Sequence, residues 1–136
     1  MTKKRTARDI MKSPVITVKE RTLVTDVMKL LCRSHISGVP VVDDDGKLIG
    51  VVTGRLVMNL AVSGNAARAR VADVMSKQLE IYGPTYSLDT PVGEIVDHFA
   101  ASRINRVIIV EDDRVVGIIS RSDIVCEVDR IYLSLS

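Results

Sequence analysis

Aromatic side chains are scarce in this 136-residue sequence, which has no tryptophan, one phenylalanine and three tyrosines. Any core must come from Val, Ile, Leu, Met and Ala, and the stacked rings that hold single-stranded nucleic acid are missing. A surplus of one charge is missing as well. Nineteen Lys and Arg face 17 Asp and Glu, a formal net charge of +2, too small to mark a nucleic-acid or membrane surface. The basic run Lys3–Arg5 and the "ARAR" stretch Ala67–Arg70 are the only segments that would suit a nucleic acid, and the balance of charge argues against one. No apolar run nears the roughly 20 residues that span a bilayer, and the N-terminus lacks a signal peptide's hydrophobic stretch. A cytoplasmic chain with neither a nucleic-acid nor a membrane partner is expected.

Reactive chemistry is thin too. Cys32 and Cys126 are the only cysteines. Each lies inside an apolar helical pattern and is expected to be a buried, reduced thiol. His35 and His98 are the only histidines, with no third ligand at metal spacing, so no metal site is expected. Ser34 and His35 are adjacent, and on a helix their side chains diverge, which disfavours a nucleophile–base pair. The acidic runs Asp43–Asp45 and Glu111–Asp113 fall between apolar strands, where such residues form turns. No Gly-rich phosphate loop is present. The sequence predicts neither an enzyme nor a required cofactor.

What is present is one unit written twice. Asp9-Ile10-Met11 recurs as Asp73-Val74-Met75, "ISGVPVV" at Ile36–Val42 recurs as "INRVIIV" at Ile104–Val110, and Gly50 recurs as Gly117. The offsets run from 64 to 68 residues, with the length changes falling in loops, as a structural repeat requires. Each copy opens on a short strand, Val15–Thr17 in the first and Leu79–Tyr82 in the second. A helix follows, with Leu23, Val27, Leu30 and Leu31 on one face, matched by Val92, Ile95, Val96 and Phe99. Thr90 and Pro91 suit the cap and first turn of the second of these helices. Two apolar strands come next, Val39–Val42 with Leu48–Thr53 and Val107–Val110 with Val115–Ser120, each pair joined by a short acidic turn. A last helix closes each copy, the second running from Ser122 to about Leu135, with Ile124, Val125, Val128, Ile131 and Tyr132 along one face.

The predicted fold is α+β with α/β-type packing: two tandem β-α-β-β-α repeats related by pseudo-two-fold symmetry, their sheets and helices sharing one core. Strands apolar on nearly every position have both faces covered, and a unit of about 60 residues buries little surface alone. The predicted organisation is a polar leader over 1–8, repeats over 9–63 and 73–136, and a connector over 64–72.

The segments "DIMKSPVITV", "HISGVPVVDDDGKLIGVVT" and "GIISRSDIV" resemble the cystathionine-β-synthase (CBS) domain, here as the tandem pair called a Bateman module. The resemblance covers about Arg8 to Val128. It implies a regulatory module that senses an adenine nucleotide (AMP, ADP, ATP or a related adenosyl ligand) and forms dimers. By the same resemblance Asp123 would hold the ribose, and Ser120 or Ser122 would bond the ribose or phosphate. A carboxylate suits a vicinal diol because it accepts two charge-assisted hydrogen bonds, and a helix N-terminus favours an anion. Asp123 and Ser122 are equally well suited to capping that helix. Arg106 would meet the phosphate, with Asn105 as a weaker contact and Arg103 or Arg121 as alternatives. The base would lie against Ile81, Tyr82 and Gly83.

The first copy departs from this pattern. Thr53 keeps the hydroxyl, but Leu56 stands where the carboxylate belongs and Gly38 where the phosphate Arg belongs. One competent site and one degraded site are expected. The apolar faces of the helices, with Ile95, Phe99, Ile124 and Val128, suggest a homodimer. Without an effector domain in the sequence, output would pass through a separate, unidentified protein. The competing expectation is a dimerisation scaffold with vestigial clefts.

Overall fold

The structure is a computed structural model describing residues 5–130. The elements run α1 (Ala7–Ile10), α2 (Val24–Ser34), β1 (Gly38–Val42), β2 (Leu48–Thr53), α3 (Gly54–Val62), α4 (Val71–Val74), a 3-10 turn (Leu79–Ile81), β3 (Thr85–Ser87), α5 (Val92–Ala101), β4 (Arg106–Glu111), β5 (Arg114–Ser120) and α6 (Arg121–Val128). The helix–hairpin–helix order of each copy is the one the periodicities predict. No described helix is long and apolar enough to cross a membrane. Ile131, Tyr132 and the stretch to Leu135 expected as helix, like Lys3 and Lys4, lie outside the described residues, and α6 is assigned over Arg121–Val128.

The chain divides into two compact units that cut across the sequence repeats. Among the described residues, one takes 5–15, Gly83–Glu111 and 116–130; the other takes Ile16–Tyr82 and Asp112–Val115. Short lead-in helices explain the cut, because each packs on the body of the other copy. In the first unit Ala7 N–H donates to Thr90 O (2.9 Å), Arg8 N–H to Leu88 O (3.1 Å) and Val92 N–H to Arg5 O (3.0 Å). The second unit repeats the pattern with Val71 N–H to Thr22 O (2.8 Å), Ala72 N–H to Glu20 O (2.9 Å) and Val24 N–H to Ala69 O (2.9 Å). The first free N–H groups of α2 and α5 are thereby satisfied by backbone rather than by side-chain caps. The recurrent Asp of "DIM" and "DVM" closes each lead-in turn: Asp9 Oδ2 accepts Thr6 N–H and Asp73 Oδ2 accepts Arg70 N–H, both at 2.8 Å.

Each unit buries its own apolar cluster. In the first, Ala7 of α1 joins Val92, Ile95 and Phe99 of α5, Val107 and Ile109 of β4, Ile119 of β5 and Ile124 of α6. In the second, Val71 of α4 joins Val24 and Val27 of α2, Val39 and Val41 of β1, Val52 of β2 and Val57 of α3. The borrowed lead-in helix closes each cluster. This also corrects the proposed dimer surface, since Ile95, Phe99 and Ile124 are buried in their own unit and Val128 packs against the same cluster.

Other expectations shift for local reasons. The strand expected over Leu79–Tyr82 is a 3-10 turn, and β3 starts at Thr85, parallel to β4 with Tyr86 opposite Ile109. Its counterpart in the first copy is a single bridge, Val18 to Val41. α5 begins at Val92 with Pro91 as its cap, because Thr90 closes the turn after β3 by accepting Ser87 N–H at 3.2 Å. Cys32 and Cys126 are exposed. At about 100° per residue, Cys32 lies a quarter turn off the Val24–Val27–Leu31 stripe, and Cys126 lies opposite Ile124 and Val128.

The acidic runs form turns. Asp43 Oδ1 accepts the N–H groups of Asp45 and Lys47, both at 2.9 Å. Asp112 and Asp113 both have positive φ, 51° and 66°, as a two-residue hairpin loop requires.

Candidate functional site

β5 ends and α6 begins at Ser120, and this junction gathers three of the expected site residues. Ser120 caps α6, its Oγ accepting Asp123 N–H at 3.4 Å. Asp123 answers three residues on, its Oδ2 accepting Ser120 N–H at 2.8 Å and Ser120 Oγ–H at 2.9 Å. Ser122 Oγ lies 2.9 Å from Ser120 Oγ. A serine cap with an acidic residue at the third helical position satisfies two otherwise free N–H groups reciprocally, so the capping role is realised in full. The Asp123 side chain is 14% exposed, and its Oδ1 faces Lys12 Nζ at 3.3 Å.

The first copy keeps half of this arrangement. Thr53 caps α3, its Oγ1 accepting Leu56 N–H at 3.4 Å, but Leu56 returns no bond from its side chain. Gly38 is fixed by packing: a Cβ there would lie 2.8 Å from Val52 O and 3.0 Å from the Tyr82 ring. A side chain at this position would meet the Tyr82 ring.

The remaining candidates divide. Arg121 N–H donates to Asn105 O (2.9 Å) and its guanidinium to Ile104 O (2.9 Å), so Arg121 and the exposed Asn105 tie the entry of β4 to the start of α6. Arg106 opens β4 with its backbone against Gly83, where a Cβ would lie 2.5 Å from Arg106 O. Ile81 and Tyr82 belong to the other compact unit, Ile81 46% exposed and Tyr82 buried. Arg103 is exposed just after α5.

Lys12 is the residue that sequence reasoning missed. It follows the lead-in helix α1, and its backbone exchanges two hydrogen bonds with Ile118 of β5 (2.9 and 3.1 Å). Nothing local in the sequence signals a partner 111 residues away. A second cross-connection lies nearby: Arg5 Nε and Nη2 reach Glu127 Oε2 and Oε1 at 3.2 and 3.0 Å, with Glu127 buried in α6. Lys12 and Arg5 therefore bracket the same helix from the lead-in segment.

Two titrating groups elsewhere are perturbed. Hydrogen bonds from Lys19 and then Arg21 hold the Asp44 carboxyl below its usual range. Burial, with the Glu94 charge adding to it, pushes the Tyr86 phenol up, and its hydroxyl pairs with His98 Nδ1. Among the described residues, no three His, Cys, Asp or Glu side chains are grouped to hold a metal ion.

Comparison with known proteins places this chain in a family. The CBS domain profile matches residues 7–62 and again 71–130. The gamma subunit of the 5′-AMP-activated protein kinase of Saccharomyces cerevisiae is 30% identical over 122 residues, covering 86% of this chain. The chain spans 13% to 37% of the length of the curated relatives it matches. Among solved structures, the CBSX2 protein in complex with AMP shares 24% identity, with a TM-score of 0.75 over 93% of this chain and 97% of that one. A CBS domain pair in complex with 5′-methylthioadenosine and S-adenosyl-L-methionine also shares 24% identity, with a TM-score of 0.71 over 98% and 100% of the two chains. With both repeats matched in tandem, the chain belongs to the CBS-domain family.

Proposed function

We propose that this CBS pair is a non-catalytic regulatory module that binds an adenine nucleotide at its second repeat. The observation that carries the reading is the asymmetry of the two caps. Only the second copy presents a carboxylate, that of Asp123, beside two hydroxyls at the start of a helix, whereas Leu56 offers no acceptor at the matching place. In this reading Asp123 accepts from the ribose hydroxyls and Ser120 or Ser122 bonds the ribose or phosphate. Arg106, aided by Asn105, meets the phosphate, and Gly83 borders the base. The relation to a subunit of a kinase named for AMP, and the AMP and adenosyl ligands of the solved CBS pairs, support the ligand class.

The module would act in the cytoplasm on a separate effector protein and assemble as a homodimer. The exposed apolar residues Met58 and Val62 of α3 and Val125 of α6 are better suited to that contact than the buried set named from sequence. Sedimentation at micromolar concentration checks the dimer, and a monomer sinks it. Calorimetric titration of AMP, ADP, ATP and S-adenosylmethionine tests the ligand reading. About one site per chain is expected for at least one of them, and no heat from any of the four would leave the fold a scaffold.

A further inference from the structure

The Asp123 carboxylate is already partly occupied, and counting its bonds shows what a ligand must do there. An ionised carboxylate has about four acceptor positions, two on each oxygen. Oδ2 has both filled, by Ser120 N–H at 2.8 Å and Ser120 Oγ–H at 2.9 Å. Oδ1 forms an ion pair with the Lys12 ammonium, 3.3 Å away. A diol that donates to Oδ1 therefore competes with the Lys12 ammonium for that oxygen.

Leaving is easy for this side chain. Lys12 is 75% exposed and its backbone is fixed independently by the two hydrogen bonds to Ile118, so the ammonium can swing on its four-carbon stem without disturbing the strand bridge. An ammonium so released remains within reach of an anion bound beside Asp123. A neutral nucleoside offers it no new partner, whereas a phosphate does.

We infer that Lys12 is a specificity-determining residue of the second-repeat site: it guards Oδ1 when the site is empty and transfers to the ligand's phosphate when a nucleotide binds. The inference rests on the ligand reading above and deepens it. Lys12 competes against every diol but repays only a phosphorylated one. The site thereby discriminates nucleotides from nucleosides through a residue of the first repeat's lead-in segment. Asp123 with Lys12 forms a two-state contact, and the ligand's charge selects the state.

The experiment titrates AMP and adenosine into the wild-type protein, Lys12→Met and Lys12→Arg. In wild type AMP should bind more tightly than adenosine. Lys12→Met should lower the AMP-to-adenosine affinity ratio by about fivefold to tenfold, the scale of one charge-assisted contact at an exposed position. Its adenosine affinity should rise by about twofold to fivefold, because the competitor for Oδ1 is gone. Lys12→Arg, which keeps the charge, should retain most of the wild-type ratio. Both ligands binding to Lys12→Met with the wild-type ratio would overturn the inference while leaving the adenosine site intact. Binding of S-adenosylmethionine with no binding of AMP would overturn it in the same way. No binding of any adenosyl ligand by the wild type would overturn the inference together with the site.

Discussion

Replacing Asp123 by Ala separates the two roles of this carboxylate, and the structure sets the size of each. On the stability side, the ion pair with a mostly exposed Lys12 is worth about 0.2–1 kcal/mol. The Ser120 hydroxyl keeps Ser122 Oγ at 2.9 Å, so it is not stranded. The main loss is the acceptor for Ser120 N–H at 2.8 Å, on the scale of a helix cap, about 1–2 kcal/mol. In a chain of this size that lowers Tm by about 3–8 °C, read by circular dichroism. On the ligand side, hydrogen bonds to a charged acceptor contribute about 1.5–3 kcal/mol. Losing both ribose bonds, discounted for the water that replaces them, costs about 2–4 kcal/mol and weakens AMP binding by about thirtyfold to nearly a thousandfold in a calorimetric titration. Asp123→Asn keeps an oxygen for Ser120 N–H but not the charge, so it should recover most of the Tm while still binding weakly. A folded Asp123→Ala protein that binds AMP as tightly as wild type would refute the ribose assignment. An unchanged Tm would refute the capping argument.

Gly83→Ala places a Cβ 2.5 Å from Arg106 O, a clash with backbone that only a shift of the chain before β3 relieves. A loss of about 1–3 kcal/mol should appear in urea unfolding, and a neutral result would mean the two segments are not so close. Arg5→Ala leaves the buried Glu127 carboxylate without its bidentate partner, while Glu127→Gln removes the charge that needs pairing. The Arg5 change should therefore cost more, about 2–4 kcal/mol, and equal losses in paired thermal melts would contradict the ion-pair account. Tyr86 is held protonated above the usual tyrosine value of 10.0 by burial and then by Glu94. The unfolded chain releases that proton first, so stability falls as pH rises past about 10. Tyr86→Phe should flatten that alkaline limb of a Tm-against-pH curve, and an unchanged limb would assign it to other groups.

The sequence by itself determined the repeat, the hairpins and the order of the elements. Each of these is written in short-range patterns: short unbroken apolar runs at Val39–Val42 and Val107–Val110, the 3.6 period in α2 and α5, and turn chemistry at Asp43–Gly46 and Asp112–Asp113. The contrast of Ser120 and Asp123 with Thr53 and Leu56 was also legible, because a cap and its third residue are neighbours in the chain. Tertiary structure decided what joins residues far apart in sequence. That Ala7 completes the core beside Ile109, that Val71 completes the one beside Val52, and that Lys12 meets Asp123 follow from the packing of each lead-in helix on the other copy. A four-residue helix such as α1 or α4 spans barely one turn, too little for its periodicity to show which surface covers it. The same limit hid the exposure of Cys32 and Cys126 and the burial of Ile95, Phe99 and Ile124. An apolar stripe shows that a face is covered, and only the packed chain shows by what.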